Sequence, residues 1–521
     1  MENIILNILL VEPDYRRNSH SIIETALSKN PKKQDDESLW YPPIGLMKLA
    51  RFHKTRGDSV KFVYGCTEKT EAWDRIYITT LFTYNWNEII RTIDYYEKVV
   101  GGDKSKIYVG GVMASLLTKP LKEKTEVNII AGVLNSPTKI GLPGDTNIDR
   151  LPPDYSILDR RLYAINETYY AYTSRGCVNH CDWCGVPKIE NKYVSYINIR
   201  GTIKKLRREF GDKPKLKLMD NNVLASSNLP VIINDLIGLG YGKGQRTIDG
   251  SNRIRVIDFN QGLDASFITK QNMKLLSKLN IKPMRIAFDR IGEKKEYLKA
   301  VKIAKEYGIT SFSNYLLYNY KDNPRDLYQR LQVNIQLNEK WKKKKGSTVN
   351  IYSYPMRYAP IDSTDSPTAL SQDYGEGIPQ KEWLIENYIF NGINWTKKFV
   401  RAIEIMKGAT HGSISPTSTL ARRTVGYSYD EFIANLYMPG ELLRNRNKYE
   451  KKVYDYEPQR EPGNGDIEKF RRFINKLIKK GDAEYIDFHF KVGQNSKPVI
   501  RQYIEECKNK SIKKWLYYYL K

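Results

Sequence analysis

Short apolar runs separated by polar stretches recur through the first two thirds of the chain. Continuously apolar runs of this length are typical of buried strands. Between the first two runs, the stretch from Ile44 to Gly57 has the spacing of an amphipathic helix. Strands that alternate with helices predict a parallel, doubly wound sheet. The first four predicted strands are Ile4–Val11, Val60–Tyr64, Ile76–Thr83 and Lys106–Val109.

A second series of six apolar runs begins near residue 169. Helical patterns lie between these runs, for example at Asn272–Leu279 and Lys294–Tyr307. Six strand–helix units in succession predict a partial, open barrel of the (β/α)6 type, with its chemistry at the C-terminal ends of the strands. The predicted strands are Tyr169–Ser174, Lys215–Met219, Val256–Asn260, Met284–Phe288, Thr310–Leu317 and Val349–Tyr354.

Three regions follow from these patterns, since 521 residues exceed what one hydrophobic core usually organises. A Pro- and Gly-rich linker between Pro137 and Pro153 separates the two strand series. Beyond Ser363 the pattern is helical and carries no motif with a chemical meaning, at Glu382–Tyr388, Trp395–Met406 and Ile467–Lys480. We predict an α/β chain with a Rossmann-like domain at residues 1–150, a barrel core at 151–362 and a mainly helical, basic region at 363–521.

The charge balance is strongly basic, with 85 Lys and Arg residues against 59 Asp and Glu residues and a net charge of +26. Such an excess favours polyanionic partners, nucleic acid first and an anionic membrane surface second. Lysines dispersed over a solvated surface explain the same numbers, so both interpretations stay open.

The cellular setting is also predicted from composition. The chain has no run of about eighteen apolar residues, so no membrane span is expected. It has five cysteines and no apolar signal segment at its N-terminus. Both features favour the reducing cytoplasm.

Three of the five cysteines, Cys177, Cys181 and Cys184, fall within eight residues directly after a predicted strand. Three thiolates leave one iron of a four-iron cluster without a protein ligand, and an open coordination position is what distinguishes a reactive metal centre from a structural one. Zinc is the alternative, but tetrahedral zinc needs a fourth ligand, and His180 lies inside the loop with no partner motif downstream. Cys66 and Cys507 are distant in sequence and are interpreted as ordinary thiols.

The C-x3-C-x2-C spacing, with the aromatic Trp183 before the last cysteine, resembles the radical S-adenosylmethionine (SAM) superfamily. That resemblance implies a [4Fe-4S] cluster on the three cysteines and SAM bound to the open iron. It further implies reductive cleavage of SAM to a 5′-deoxyadenosyl radical that attacks an unactivated carbon, and an electron donor of the flavodoxin or ferredoxin type. The protein's own part in such chemistry is to exclude solvent and to position the substrate.

The N-terminal region resembles the cobalamin-binding-type domain that precedes the radical core in one branch of this superfamily. The resemblance is carried by Tyr41-Pro-Pro-Ile-Gly-Leu46 and by the strand end Val109-Gly110-Gly111. The Asp-x-His-x-x-Gly motif, with which some members bind cobalamin, is absent from the chain. Cobalamin binding therefore stays open.

Polar residues at the ends of the predicted barrel strands are candidates for binding SAM. Amide and carboxylate groups accept from an ammonium or from ribose hydroxyls, and an arginine pairs with a carboxylate. Such residues are also common helix caps. The superfamily resemblance adds that the segment from Tyr352 to Arg357 lies beside the adenine. The candidates are Asp220, Asn221, Asn222, Gln261, Asp264, Asp289, Arg290 and Asn314.

Three functions stay open at this stage: a radical SAM enzyme that acts on an unknown substrate, nucleic acid included; a cobalamin-dependent radical SAM methyltransferase that acts on a small molecule or peptide; and a non-catalytic iron–sulfur or RNA-binding protein. Methylthiolation of tRNA is disfavoured, because that family carries three further cysteines in its N-terminal domain and this chain has only Cys66 there. The substrate and the oligomeric state are not predicted.

Overall fold

The N-terminal residues form a five-stranded parallel sheet in this computed structural model. Its strand order is β2-β1-β3-β4-β5, so that β1 lies between β2 and β3, and β4 and β5 follow on the side of β3. The strands are β1 (Asn7–Glu12), β2 (Ser59–Tyr64), β3 (Arg75–Thr80), β4 (Ile107–Gly111) and β5 (Asn128–Ile130). The structure describes residues 5–15, 39–69, 72–343, 346–358, 361–362, 395, 397–408, 412–429, 432, 436 and 505.

Helices cover both faces of this sheet. Successive residues of β1 point to opposite faces, so its apolar side chains contribute to two separate cores. Ile8 and Leu10 pack in one core with helix α1 (Ile44–Arg56). Leu9 and Val11 pack in the other core with α2 (Trp86–Val99) and α3 (Val112–Leu116). All four β1 side chains are fully buried, and each such aliphatic side chain contributes about 1.5–3 kcal/mol. A further helix, α4 (Thr118–Lys124), precedes β5.

A second sheet of three parallel strands follows in the order β6-β7-β8. In its register Ala171 lies opposite Leu218, and Leu218 lies opposite Phe259, so the C-terminal ends of the three strands are level. The strands are β6 (Thr168–Ala171), β7 (Lys215–Leu218) and β8 (Val256–Phe259). The helices of this part are α5 (Val186–Ile189), α6 (Arg200–Phe210), α7 (Leu229–Leu236) and α8 (Lys270–Leu276).

A third sheet has the order β11-β10-β9, and its longest ladder joins two parallel eight-residue strands. Its strands are β9 (Met284–Ala287), β10 (Ser311–Tyr318) and β11 (Asn350–Arg357). Asn323 caps the longest helix, since its side chain accepts from the backbone N–H of Asp326, 3.0 Å away. The helices here are α9 (Lys294–Glu306), α10 (Pro324–Lys342), α11 (Lys397–Gly408) and α12 (Ser418–Val425).

The contacts divide the chain into two units. The first unit comprises residues 1–285, 306–308 and 359–368, and the second comprises 286–305, 309–358 and 369–521. The shorter helical turns lie at Thr83–Asn85, Lys104–Lys106, Pro137–Ile140, Ile148–Arg150, Tyr155–Ile157, Val223–Ala225, Ile237–Tyr241, Ala265–Phe267 and Ile291–Glu293.

The strands predicted from apolar runs are confirmed, as are parallel pairing in the first two sheets and the helices at Ile44, Asn272 and Lys294. Their ends differ by a few residues, and β1 starts three residues later than predicted because Ile5 is exposed. The predicted helix at Trp395–Met406 corresponds to α11. The predicted helices at Glu382–Tyr388 and Ile467–Lys480 lie outside the described residues. No helix in the described ranges is long and apolar enough to cross a lipid bilayer.

Candidate functional site

The segment that carries the three cysteines begins where β6 ends, and a buried carboxylate at the end of β7 holds its start. Asp220 accepts hydrogen bonds from the backbone N–H of Thr173 at 2.9 Å and from the Thr173 and Ser174 hydroxyls at 2.7 Å each. Burial raises the pKa of Asp220, and these hydrogen bonds oppose the rise. These contacts give Asp220 a positioning role, whereas its predicted contact with SAM stays a prediction.

Glu190 closes the cysteine loop on itself. Its carboxylate accepts from the backbone N–H of Gly176 at 2.6 Å and from the side-chain amide of Asn221 at 3.0 Å. The backbone of Arg175 pairs in both directions with that of Val194. The loop thus leaves β6, passes the cysteines and returns alongside its own first residues.

The three cysteines are partly exposed, and none of them is in a disulfide. Cys177 Sγ accepts from the backbone N–H of Asn179 at 3.4 Å and from the side-chain amide of Asn222 at 3.6 Å. The backbone N–H of Cys184 donates to the carbonyl of Cys181 at 3.0 Å, which makes a tight turn between the last two cysteines. N–H donors to a sulfur orient it and tune the reduction potential of iron bound to it.

Two more of the predicted site residues meet beside Cys177. Asp264, at the end of β8, accepts from Asn179 Nδ2 at 2.8 Å and from Asn222 Nδ2 at 3.5 Å. Asn222 is buried, and its side-chain carbonyl oxygen has no hydrogen-bond partner in the described structure. A buried carbonyl of this kind is an acceptor that a donor group of a ligand can satisfy.

No group of three or more His, Cys, Asp or Glu side chains among the described residues is arranged around one metal ion. A four-iron cluster binds each cysteine at a different iron, so its thiolates need not converge on one point. The donor set here is three thiols on one loop, free of disulfides. That donor set is chemically suited to a polynuclear iron–sulfur group.

The remaining candidate in the first unit, Gln261, is exposed and follows β8 in a turn. Its neighbour Asn260 accepts from the Tyr41 hydroxyl at 2.6 Å, and that hydroxyl accepts from Lys217 Nζ at 3.0 Å. Tyr41 belongs to the Tyr41-Pro-Pro segment, so this segment reaches the ends of β7 and β8.

The other three candidates lie in the second unit. Burial raises the pKa of Asp289 to about 6, although its carboxylate accepts from the backbone N–H of Leu317 at 3.0 Å. Arg290 is exposed at the start of a short helical turn. Asn314 is fully buried, donates to the Tyr297 hydroxyl at 3.3 Å and has an unpaired side-chain oxygen in the described structure.

A largely buried ionic cluster next to the cysteine loop was not predicted from the sequence. Arg175 binds Asp149 and donates to Glu190 at 2.7 Å, and Lys48 Nζ lies 2.9 Å from Asp149. The Arg175 guanidinium also lies 3.4 Å from the centre of the Tyr172 ring. No local pattern links these residues, because α1, the linker and the cysteine loop supply one or two members each.

Burial and neighbouring charges shift the pKa values of Lys48 and Asp149 in this cluster. Burial lowers the pKa of Lys48 to about 8, although Asp149 opposes the shift. Burial alone would raise the pKa of Asp149, but Lys48 and Arg175 outweigh it and bring that pKa to about 2. Asp149 is therefore a permanent anion at neutral pH, held between two cations.

A cavity of about 340 Å³, called here the sheet-end cavity, lies at the C-terminal ends of β3, β4 and β5. Ligands of parallel α/β sheets bind at this edge. Its wall includes the ends of these strands and part of the ionic cluster: Thr79, Thr80, Gly110, Gly111, Gly132, Lys48, Asp149, Arg175 and Glu190.

Two histidines in the described ranges differ in their surroundings. His53 is buried between Asp58, 2.7 Å from its Nδ1, and the Tyr77 hydroxyl, 3.1 Å from its Nε2. Both of its ring nitrogens are thus engaged within the protein. His180 is exposed within the cysteine loop.

Comparison with known proteins finds no family model that matches this chain and no similar protein among those with curated functions.

Proposed function

We propose that the protein is a radical SAM enzyme. In this proposal Cys177, Cys181 and Cys184 bind a [4Fe-4S] cluster, SAM is cleaved reductively to a 5′-deoxyadenosyl radical, and an unactivated carbon of the substrate is modified. The observation that supports it most is the position of the three disulfide-free thiols. They lie on the loop that leaves the C-terminal end of a parallel strand, beside Asn222 and Asp264 from the next two strand ends.

The fold supports the same proposal. Strand order β2-β1-β3-β4-β5 with helices on both faces fits a Rossmann-like, cobalamin-binding-type domain. Six strands that alternate with helices from β6 to β11 fit a partial (β/α)6 barrel. In such a barrel the chemistry lies at the C-terminal strand ends, where the cysteine loop begins.

The chain's own residues would prepare the site in three ways. Asp220 and Glu190 hold the loop at its start and at its return. Asn179 and Asn222 donate N–H groups to the Cys177 sulfur, which orients it at the start of the loop. The unpaired carbonyl oxygen of Asn222 is suited to accept from the ammonium of a methionyl group. When bound, the cluster supplies the electron with which SAM is cleaved.

Iron binding tests the ligand assignment. We expect the full-length protein, reconstituted without oxygen, to bind four irons per chain. Each of Cys177→Ala, Cys181→Ala and Cys184→Ala should lose the cluster, measured by iron assay and by electron paramagnetic resonance after reduction. The matched control is Cys66→Ala, which removes a partly buried thiol far from the loop in sequence and should keep all four irons. A triad variant that still binds four irons would contradict the assignment.

Product analysis tests the activity. Under a strong reductant we expect 5′-deoxyadenosine and methionine from the wild type and neither from Cys181→Ala. A protein that binds the cluster but never cleaves SAM under any reductant is the non-catalytic alternative. Because the net charge of +26 suits a polyanion, nucleic acid that co-purifies is the first substrate to identify.

The sheet-end cavity favours a second candidate, a cobalamin-dependent radical SAM methyltransferase. The cavity lies where parallel sheets bind ligands, and Gly110, Gly111 and Gly132 form part of its wall, so that a planar ligand meets little side-chain bulk. The discriminating measurement is analysis of bound corrinoid and of S-adenosylhomocysteine as a co-product. Their presence supports the methyltransferase, and 5′-deoxyadenosine alone supports the first candidate.

A further inference from the structure

A second cavity in the first unit, of about 330 Å³, is not used by the proposed reaction. We call it the linker cavity, since the linker at residues 149–153 forms one wall. The other walls are the start of α1, the end of β6 and the segment that leads into α6. Its lining residues are Ile44, Lys48, Asp149, Arg150, Leu151, Pro153, Tyr170, Ala171, Tyr172, Tyr196, Ile197, Asn198, Ile199 and Thr202.

The charges around the linker cavity favour an anion. Lys48 and Arg150 line it, and Asp149 is the single acid among its lining residues. Asp149 is already engaged by Lys48 and Arg175. The half-buried Arg150 guanidinium has no hydrogen-bond or ion-pair partner within the part of the chain that the structure describes. One cation in the wall is therefore left without a directly paired counter-charge.

The first turn of α6 adds to this positive potential. The helix has eleven residues, and its cap residue Ile199 and its third residue Thr202 both line the cavity. The Asn198 side chain accepts from the backbone N–H of Arg200 at 3.0 Å, and the first turn contains no acidic residue. Within the described residues, the backbone N–H groups of Gly201 and Thr202 are left for a ligand, and together with the partial positive charge of a helix N-terminus they favour an oxyanion.

Size and lining indicate the rest of the ligand. A volume of about 330 Å³ is at the lower end of the range for small-molecule sites. Beside the charged groups the wall is made mainly of aliphatic and tyrosine side chains. Such a site fits a small organic molecule with one charged end and an apolar body, whereas a nucleic-acid strand is too large for it.

We propose that the linker cavity binds a small organic oxyanion, a carboxylate or a phosphate ester, whose charged end lies between Arg150 and the first turn of α6. The Arg150 guanidinium offers two parallel N–H groups to such an anion. The site is separate from the cysteines and does not depend on the iron–sulfur proposal, so either proposal can fail without the other.

Direct binding to the full-length protein tests this inference, with inorganic phosphate and benzoate as probes in isothermal titration calorimetry. We expect saturable binding of at least one probe and a loss of affinity of about tenfold or more in Arg150→Gln. The probe that binds more tightly distinguishes a phosphate site from a carboxylate site. The matched control is Arg160→Gln, which removes an exposed guanidinium that donates to Asn166 and should bind as the wild type does.

A conservative variant covers the case in which Arg150→Gln does not fold. Arg150→Lys keeps the charge but not the paired N–H groups, and should bind more weakly than the wild type. The inference is overturned if the wild type binds neither probe, if the folded Arg150 variants bind as the wild type does, or if Arg160→Gln loses affinity to the same extent.

Discussion

Gly176 offers a sharp test of how the cysteine loop is built, because it precedes Cys177 and has a left-handed backbone with φ of 75°. A Cβ atom at this position would lie 2.7 Å from the carbonyl oxygen of Lys192 and 3.2 Å from that of Glu190. Both neighbours are backbone atoms of the returning arm of the loop. Gly176→Ala therefore forces the two arms of the loop apart.

The magnitude has two parts, and a second glycine separates them. An alanine in the left-handed region costs about 1–2 kcal/mol wherever it occurs. Overpacking against a close neighbour adds about 1–3 kcal/mol. Gly57, at the end of α1, also has positive φ, 91°, but a Cβ atom there would have no neighbour within 4 Å. We therefore expect about 2–5 kcal/mol for Gly176→Ala and about 1–2 kcal/mol for Gly57→Ala.

The assay is urea unfolding of both variants and the wild type at one pH, followed by iron content after anaerobic reconstitution. We expect Gly176→Ala to bind less iron than Gly57→Ala, because the displaced loop carries Cys177. Equal losses of stability in the two variants would refute the structural reasoning. If Gly176→Ala loses more stability than Gly57→Ala but binds as much iron, the loop packing would be supported and the assignment of the metal to this loop would be wrong.

Two further predictions concern buried charge. His53 is buried, and burial lowers its pKa to about 4. Below about pH 6.5 the unfolded chain therefore binds a proton that the folded protein does not, and the wild type should lose up to about 3 kcal/mol of unfolding free energy as the pH falls from 6.5 to 4. His53→Gln should lose less over the same pH range, measured by urea unfolding. Arg330→Met should cost about 3–5 kcal/mol because it leaves Asp322 buried without its counter-charge. Arg325→Met, at an exposed position of the same helix, should cost little, and similar losses in the two variants would contradict this reasoning.

Strand positions could be predicted from the sequence because these strands are buried on both sides. In β1 four consecutive side chains are fully buried, so the apolar run marks the strand directly. The ends were less predictable, since Ile5 belongs to the apolar run and is nevertheless exposed. An apolar residue next to a strand has no local feature that tells whether the core extends to it.

The partners of the site residues could not be predicted in the same way. The contact of Asp220 with SAM stays a prediction, and the partners that the structure gives its carboxylate are Thr173 and Ser174, 47 and 46 residues earlier. These hydrogen bonds depend on the register in which Ala171 lies opposite Leu218. Arg422 of the basic C-terminal region likewise pairs with Glu339 of α10 at 2.8 Å. Long-range register and packing, which no local pattern encodes, determine both outcomes.

The contacts that hold the start and the return of the cysteine loop do not involve its sulfurs. Asp220 anchors its start, Glu190 joins its two arms, and Arg175 ties it to Asp149 of the linker. Several of these contacts are buried and charge-assisted, so they stabilise the loop without any metal. Replacing one cysteine removes a partly exposed thiol and leaves this framework in place. A loss of iron in such a variant would therefore report the loss of a ligand rather than the unfolding of the loop.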